Sequence, residues 1–212
     1  MYAAVTLLVF MCLAVTTHAG HHVPCDSHNM SGFMTVMNLK GEWKGGAFTY
    51  DSMGKKLRFI SNDSFPVNTS LGLDLLMFFD EGIFYEIDNT NQSCEKKALN
   101  CTMHPLDIPD DATLSSTLNF GRPFTEGEGL TLNKWTGSMP GMKGHYAIYA
   151  TRGCVPVNMY YFTESTSFVF STIDVELEIK NHDLLMVPSF CKGQPVEQTP
   201  EGTVNSFLNE FM

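Results

Sequence analysis

Basic residues are scarce in this sequence. Lys and Arg number 13 against 23 Asp and Glu, and the formal net charge at pH 7 is −10. No cluster of basic residues with interleaved aromatic side chains offsets this imbalance. An acidic surface repels a phosphate backbone, so the composition argues against nucleic acid as a partner.

The motifs that mark common enzyme classes are also missing. The chain contains no G-x-S-x-G, no H-E-x-x-H and no Gly-rich phosphate loop. Paired carboxylates such as Asp110 and Asp111 lie in loop-like sequence, where such groups are usually only solvated. We therefore predict that the protein is not an enzyme and uses no organic cofactor. An extracellular or lysosomal hydrolase is a weaker alternative, because it needs a clustered acid–base pair.

Long apolar runs are absent after residue 19. Residues 1–19 carry no charged side chain, and an apolar stretch from Ala3 to Val15 is followed by Thr17 and Ala19 at the −3 and −1 positions of a cleavage site. This pattern predicts a secretory signal peptide at 1–19 and no transmembrane segment in the mature chain. Without a linker or an internal repeat, residues 20–212 are expected to form a single domain.

Cysteine is sparse, with six in the chain, and the number beyond residue 19 is odd. Cys12 lies in the predicted signal peptide, which leaves Cys25, Cys94, Cys101, Cys154 and Cys191. Two internal bridges are expected, plus one thiol that is free, locally exchanged or paired with another chain. Five N-x-S/T glycosylation motifs begin at Asn29, Asn62, Asn68, Asn91 and Asn100. Together these features predict a secreted, disulfide-bonded glycoprotein, with the lysosomal lumen as an alternative compartment.

Period-two patterns dominate the mature chain. In Ile173–Lys180 the apolar Ile173, Val175, Leu177 and Ile179 alternate with charged residues, which is typical of a strand wetted on one side. Similar strands are expected at 33–39, 42–51, 55–61, 73–79, 83–88, 145–152, 157–163, 167–171 and 184–188. Only Pro109–Leu118 and Thr199–Phe211 predict short helices. The sequence thus predicts an all-β, mainly antiparallel fold, a sandwich or an incomplete barrel.

Several predicted strands are apolar or aromatic on both faces. They carry methionines that adapt to irregular space, at Met34, Met37, Met77, Met159 and Met186. Such strands form either ordinary core or the lining of a cavity. The pattern alone favours core.

Two short segments match known motifs only in part. Asp88–Glu95 has Ser93 where an EF-hand loop needs glycine, so it is not an EF-hand; ligands from separate loops stay open. Gly41–Trp43 matches the G-x-W of lipocalins, but the second and third lipocalin signatures are not visible. A lipocalin-type carrier is kept as a less favoured alternative.

An ordered set of motifs resembles the ependymin-related proteins. Its carriers are Cys25, EWKGGAFTYD, KKLRFI, DLLMFFDEGIFYEIDNTNQSCEKKAL, LDIPDDATL, LTLNKWTG, GHYAIYATRGCVPV and the closing VPSFC. The resemblance runs from Cys25 to Cys191. It implies two strongly curved antiparallel sheets stacked as a half-open barrel around a deep apolar pocket, a fold similar to bacterial lipoprotein carriers.

The same resemblance implies function and pairing. It implies binding of a hydrophobic small molecule or lipid, calcium binding, homodimers and extracellular matrix contacts. It also implies disulfides between Cys25 and Cys154 and between Cys94 and Cys191, which leaves Cys101 unpaired or intermolecular. The alternative is a calcium-dependent matrix or cell-adhesion protein without a physiological lipid ligand.

Ten apolar or aromatic strand positions are candidates for lining the pocket, although each taken singly fits structural core: Phe48, Leu57, Phe59, Phe79, Ile83, Tyr85, Ile148, Tyr161, Phe168 and Leu177.

Overall fold

The computed structural model describes residues 25–65, 73–99, 106–122, 127–139, 143–164 and 167–197. The side chains of 62–65 are not part of this description. The predicted signal peptide, the motifs at Asn68 and Asn100, Cys101 and the predicted helix Thr199–Phe211 therefore lie outside the described residues.

Within those ranges the chain forms eleven strands and two short 3₁₀ helices, as the alternating pattern predicted an all-β fold. The strands are β1 (Met30–Asn38), β2 (Trp43–Asp51), β3 (Lys56–Phe65), β4 (Leu73–Phe78), β5 (Ile83–Asp88), β6 (Ser93–Ala98), β7 (Thr113–Gly121), β8 (Gly129–Ser138), β9 (Gly144–Thr151), β10 (Pro156–Thr163) and β11 (Ser167–Glu176). The 3₁₀ helices are η1 (His182–Leu185) and η2 (Ser189–Cys191).

All eleven strands belong to one antiparallel sheet, in the order β6-β5-β4-β3-β2-β1-β11-β10-β9-β8-β7. The resemblance implied two stacked sheets, and this expectation is wrong, since all strands form one hydrogen-bonded sheet. The reason is that β1 pairs with β2 on one side and with β11 on the other, so the first and last strands join two meanders into a single sheet.

One cluster of buried side chains covers what we call the inner face of the sheet. It contains residues from strands as far apart as β5 and β8, including Phe84, Phe59, Met34, Met159 and Trp135. Because a twisted sheet of this many strands curls, its two halves can bury the same face. The inner face is the main hydrophobic core.

A second cluster lies on the opposite, outer face of β4 and β5. There Leu76, Phe78, Tyr85 and Ile87 are covered by residues 177–191, which we call the C-terminal cover; its buried members are Ile179, Leu185 and Cys191. All six residues of β4 are buried as a result. This two-sided burial explains why Leu73–Phe78 shows no apolar–polar alternation apart from Asp74.

The predicted helix at Pro109–Leu118 is wrong. Its acidic start forms a turn in which the Ala112 N–H donates to the Pro109 carbonyl, and Thr113 begins β7. Ser and Thr dominate the following segment and favour extended backbone over helix. Pairing with β8 then fixes the strand.

The predicted strand at 184–188 is also wrong, since this segment begins inside η1. The long alternating strand at 173–180 ends early, at Glu176. Asp174 has a φ of 51°, and the register of β1 with β11 shifts at this point. Gly32 permits the irregularity, because a Cβ there would lie 2.9 Å from the carbonyl oxygens of Ile173 and Asp174.

Arg58 forms a buried ion pair between β3 and β4 and also binds the C-terminal cover. Arg58 donates from Nε and Nη2 to the two carboxylate oxygens of Asp74, at 2.9 and 2.7 Å. The Arg58 Nη1 donates to the Leu184 carbonyl at 2.9 Å, and Asn89 Nδ2 donates to Asp74 at 2.7 Å. The two charged side chains are only 10% and 6% exposed. Neighbouring strands and the cover thus share one polar network.

Replacing Asp74 by alanine should destabilise the protein by about 3–5 kcal/mol, because Arg58 would stay buried without its counter-charge. The measurement is the free energy of unfolding in urea. Glu176→Ala is the matched control, since it removes the exposed Glu176–Lys180 pair and should cost no more than about 1 kcal/mol. The double change Arg58→Met with Asp74→Leu should recover much of the loss. Equal losses for Asp74→Ala and Glu176→Ala would contradict the assignment.

Candidate functional site

The inner face gathers most of the side chains that the sequence predicted for a pocket. Six of the ten belong to its buried cluster, and a seventh, Phe79, packs against it. The six are Phe48, Leu57, Phe59, Ile148, Tyr161 and Phe168. Alternation within each strand brings them to one face, so the strands β2, β3, β9, β10 and β11 present a common apolar surface.

Three predicted lining residues lie elsewhere. Ile83 and Tyr85 contact the outer cluster beneath the C-terminal cover, and Phe84 takes their place on the inner face. Leu177 follows the end of β11 and is 55% exposed. Because β5 is apolar on both faces, alternation could not decide which face turns inward. Phe84 was missed as an inner-face residue, because no feature of the sequence distinguishes it from Ile83 and Tyr85.

Methionines contribute to the inner face as well. Met34, Met77 and Met159 are buried in its cluster, together with Met30 and Met139. By contrast, Met37 and Met186 are exposed. Unbranched thioether side chains can repack around ligands of different shape.

A segment between β6 and β7 lies against the inner face. Within this crossing segment (residues 106–112), Leu106, Ile108 and Ala112 are buried in the inner cluster. The ammonium of Lys55 binds Asp107 at 2.8 Å and ties the segment to the β2–β3 turn. Burial, and then the nearby Asp107 carboxylate, raise the pKa of Tyr50 on β2. The segment therefore covers part of the inner face.

The far end of the crossing segment reaches β9. Burial, followed by the charge of Asp111, raises the pKa of Tyr146 to about 12. The Tyr146 hydroxyl is buried and has no hydrogen-bond partner within the described ranges. It packs over Gly137, where a Cβ would lie 2.2 Å from the Tyr146 oxygen. Glycine at 137 thus makes room for this ring on β8.

Both disulfides implied by the sequence resemblance are present. Cys25 is bonded to Cys154, with a Cα–Cα distance of 5.4 Å, and fixes the start of β1 to the β9–β10 turn. Cys94 is bonded to Cys191, with a Cα–Cα distance of 5.6 Å, and fixes the C-terminal cover to β6. Each closes a loop long enough to stabilise the fold by about 4–5 kcal/mol in the chain-entropy model.

The glycosylation motifs differ in their surroundings. The half-buried Asn29 accepts hydrogen bonds from the backbone N–H and the hydroxyl of Ser52, at 3.0 and 3.1 Å. Asn91 is exposed in the β5–β6 turn, where its Nδ2 donates to Asp88 at 2.6 Å. Asn62 lies in β3, and its side chain is outside the description.

Metal ligands do not converge in the part of the chain that the structure describes. No group of three or more His, Cys, Asp or Glu side chains there is arranged to hold a metal ion. Calcium binding stays a prediction. As for membrane insertion, none of the helices in the described ranges has both the length and the apolar character to cross a bilayer.

Comparison with known proteins yields a family match. The family model for ependymin matches residues 67–191. Ependymin-1 of Oncorhynchus mykiss is 40% identical over 215 residues, covering 99% of this chain and 97% of that protein. Ependymin of Esox lucius is 39% identical over 222 residues, with the same coverage of 99% and 97%. The resemblance noted in the sequence motifs is thereby confirmed.

Solved structures give a partial likeness. An uncharacterized conserved protein from Thermus thermophilus has a TM-score of 0.49 at 11% identity, covering 82% of this chain and 91% of its own. LprF from Mycobacterium bovis has a TM-score of 0.36 at 12% identity, covering 73% of this chain and 88% of its own. Scores of this size carry no argument about the ligand of this chain.

The raised pKa of Tyr146 predicts an alkaline loss of stability. Between about pH 10 and 12 the unfolded chain releases the tyrosine proton while the folded chain retains it, so stability falls as pH rises. Below pH 10 both states keep the proton, and this contribution is constant. Tyr146→Phe should remove the part of the pH dependence that Tyr146 supplies.

Urea unfolding at a series of pH values measures this effect. The difference in free energy between the parent chain and Tyr146→Phe should change only above about pH 10. Ile148→Val is the control, because it alters a neighbouring side chain in the same cluster without a titrating group. A difference for Tyr146→Phe that stays flat from about pH 8 to 12 would contradict the shift.

Proposed function

The chain belongs to the ependymin family, and from that premise we propose that it is an exported glycoprotein that binds a hydrophobic small molecule, a lipid or fatty acid, at its inner face. The observation that carries the proposal is the continuous apolar surface formed by β1–β5 and β8–β11. Binding at the inner face requires only the burial of apolar surface and no covalent step.

The energetics support an acyl chain or a similar ligand. Each methylene group transferred from water to an apolar site contributes roughly 0.8 kcal/mol. Area alone can therefore provide useful affinity, with a few polar groups for orientation. At the margin of the inner face, the hydroxyl of Tyr146 is a group of this kind.

The crossing segment is the element that a ligand would meet. Its apolar side chains Leu106, Ile108 and Ala112 already occupy the inner face. A bound ligand would share or replace these contacts, while the Lys55–Asp107 ion pair holds the segment at one end. We therefore expect ligand binding to be coupled to movement of residues 106–112.

Calcium binding, homodimer formation and extracellular matrix contacts complete the proposal as expectations from the family. A matrix or cell-adhesion role without a lipid ligand is the second candidate function. An aromatic row on the outer face of β7, β9 and β10 favours it: Phe120, Tyr149, Tyr160 and Phe162 succeed one another at ring-centroid distances of 6.3, 5.6 and 6.4 Å. Partly exposed aromatic side chains of this kind suit a protein contact.

A pair of alanine variants tests ligand binding at the inner face. Ala150 on β9 is fully buried in the inner cluster, so Ala150→Leu adds volume where the ligand should lie. Ala147 on the same strand is half-buried outside that cluster, so Ala147→Leu adds the same volume elsewhere. We expect Ala150→Leu to weaken binding of a fluorescent fatty acid about tenfold or more, and Ala147→Leu to leave it unchanged.

Native mass spectrometry of protein secreted from eukaryotic cells provides the direct readout. Lipid masses should accompany the parent chain and Ala147→Leu, and should be reduced for Ala150→Leu. Thermal unfolding of both variants checks that each one folds. Ligand-free protein together with no binding of the fluorescent fatty acid would reject the carrier function and favour the adhesion function.

A further inference from the structure

A half-open depression of about 670 Å³ lies at one end of β4, β5 and β6, next to the β5–β6 turn. Its volume is in the range of pockets that bind small molecules, about 300–1,000 Å³. Its lining comes from strand residues and turn residues: Ile60, Leu73, Asp74, Glu86, Ile87, Asp88, Asn89, Thr90, Asn91, Ser93, Cys94 and Glu95. The turn residues are polar, and they are outside the lipid-binding surface proposed above.

Four carboxylates line the depression, and three of them bind basic side chains. Asp74 is held by Arg58 through two hydrogen bonds. Glu86 and Glu95 both bind the ammonium of Lys97. Although burial disfavours its charged form, hydrogen bonds to these carboxylates hold the pKa of Lys97 above its ordinary value.

The fourth carboxylate, that of Asp88, binds groups of the turn to which it belongs. It accepts hydrogen bonds from the backbone N–H groups of Thr90 and Asn91 and from Asn91 Nδ2. These bonds, those from Asn91 first, hold the pKa of Asp88 below its ordinary value. A cation would have to displace existing partners at each carboxylate. The depression therefore suits a neutral ligand that carries many hydrogen-bonding groups.

Apolar side chains form the rest of the surface. Ile60 is half-buried, while Leu73 and Ile87 are 5% and 4% exposed. Beside them stand hydroxyl and amide groups of Thr90, Ser93 and Asn89. Sugar rings combine C–H faces with hydroxyl edges, so this mixture of surfaces fits a short saccharide.

The chain itself can supply that saccharide, because Asn91 on the rim begins an N-x-S motif with Ser93. We propose that this depression is the seat of the first sugars of an N-linked glycan on Asn91. The inference rests on the proposed export and glycosylation of the chain. It adds to them that the glycan is packed against β4–β6 and does not extend freely into solvent.

The chemistry of attachment leaves the turn intact. The Asn91 amide nitrogen displaces a diphosphate carrier from the anomeric carbon of the donor oligosaccharide, forms an N–C bond and loses one of its two protons. The nitrogen keeps one N–H group, which can still donate to Asp88. The hydrogen bond from Asn91 to Asp88 can thus be kept after attachment and orient the sugar.

Native deglycosylation tests the seat. The full chain is secreted from eukaryotic cells, and site occupancy is read by glycopeptide mass spectrometry. Peptide N-glycosidase is then applied to the folded and the denatured protein, and cleavage at each motif is timed. Removal at Asn91 should be at least about tenfold slower in the folded than in the denatured protein. Any occupied site elsewhere in the chain serves as an internal comparison.

Thr90→Val provides a variant that alters the seat but keeps the motif and the backbone hydrogen bond to Asp88. It should speed native removal at Asn91 several-fold. Thr131→Val is the matched control, since it removes a hydroxyl that bonds Asn119 on the distant β7–β8 pair, and it should have no effect. Both variants are assayed at temperatures equally far below their own unfolding midpoints.

Two outcomes overturn the seat while leaving the proposed function in place: an unoccupied Asn91 in a chain glycosylated elsewhere, or removal at Asn91 that is equally fast in folded and denatured protein. Absence of sugar at every motif would reject the glycoprotein proposal itself, and the seat with it. Lipid binding is measured independently through Ala150→Leu.

Discussion

Pairing between the first and the last strand is the constraint on which the rest of the fold depends. The chain builds two antiparallel meanders, β1–β6 and β7–β11, and each consists of neighbours in sequence. Among the described residues, the pairing of β1 with β11 is the strand pairing that joins them, and it links residues more than 130 positions apart, such as Val36 and Phe170. The disulfide between Cys25 and Cys154 reinforces this junction. Without the pairing of β1 with β11, the inner cluster would be divided between two meanders.

The two faces of the sheet are completed by different means. The inner face buries its side chains by curling and by receiving the crossing segment. The outer face of β4 and β5 is closed by the C-terminal cover, which is fixed covalently through Cys191 and electrostatically through Arg58. The outer side is thus closed by a cross-linked segment, and the inner side mainly by packed apolar side chains.

Local patterns predicted eight of the eleven strands, because apolar and polar residues alternate in most of them, and they missed β6 and β8 as well as β7. They could not predict β7, since Ser and Thr give no contrast between its faces, nor decide the inward face of β5, where Ile83, Phe84 and Tyr85 are all apolar. Disulfide partners came from the family resemblance, because spacing alone leaves the pairing open. The ion pair of Arg58 with Asp74 and the course of residues 106–112 are consequences of tertiary packing, which no local window contains.

The two edges of the sheet show how a single open sheet avoids pairing with other chains. At β6 the edge carries Glu95, Lys96 and Lys97, and the backbone of Glu197 donates to the Lys96 carbonyl. Charged side chains and a covering segment are both recognised protections of an edge strand.

At β7 no charged residue is present, and the protection comes from a register shift between Leu114 and Ser116. A bulge increases local twist and interrupts the ladder of free hydrogen-bonding groups. A glycan at Asn91 would add bulk beside the β6 edge and none at β7, so the two edges differ in kind: one is covered and charged, and the other relies on its shape.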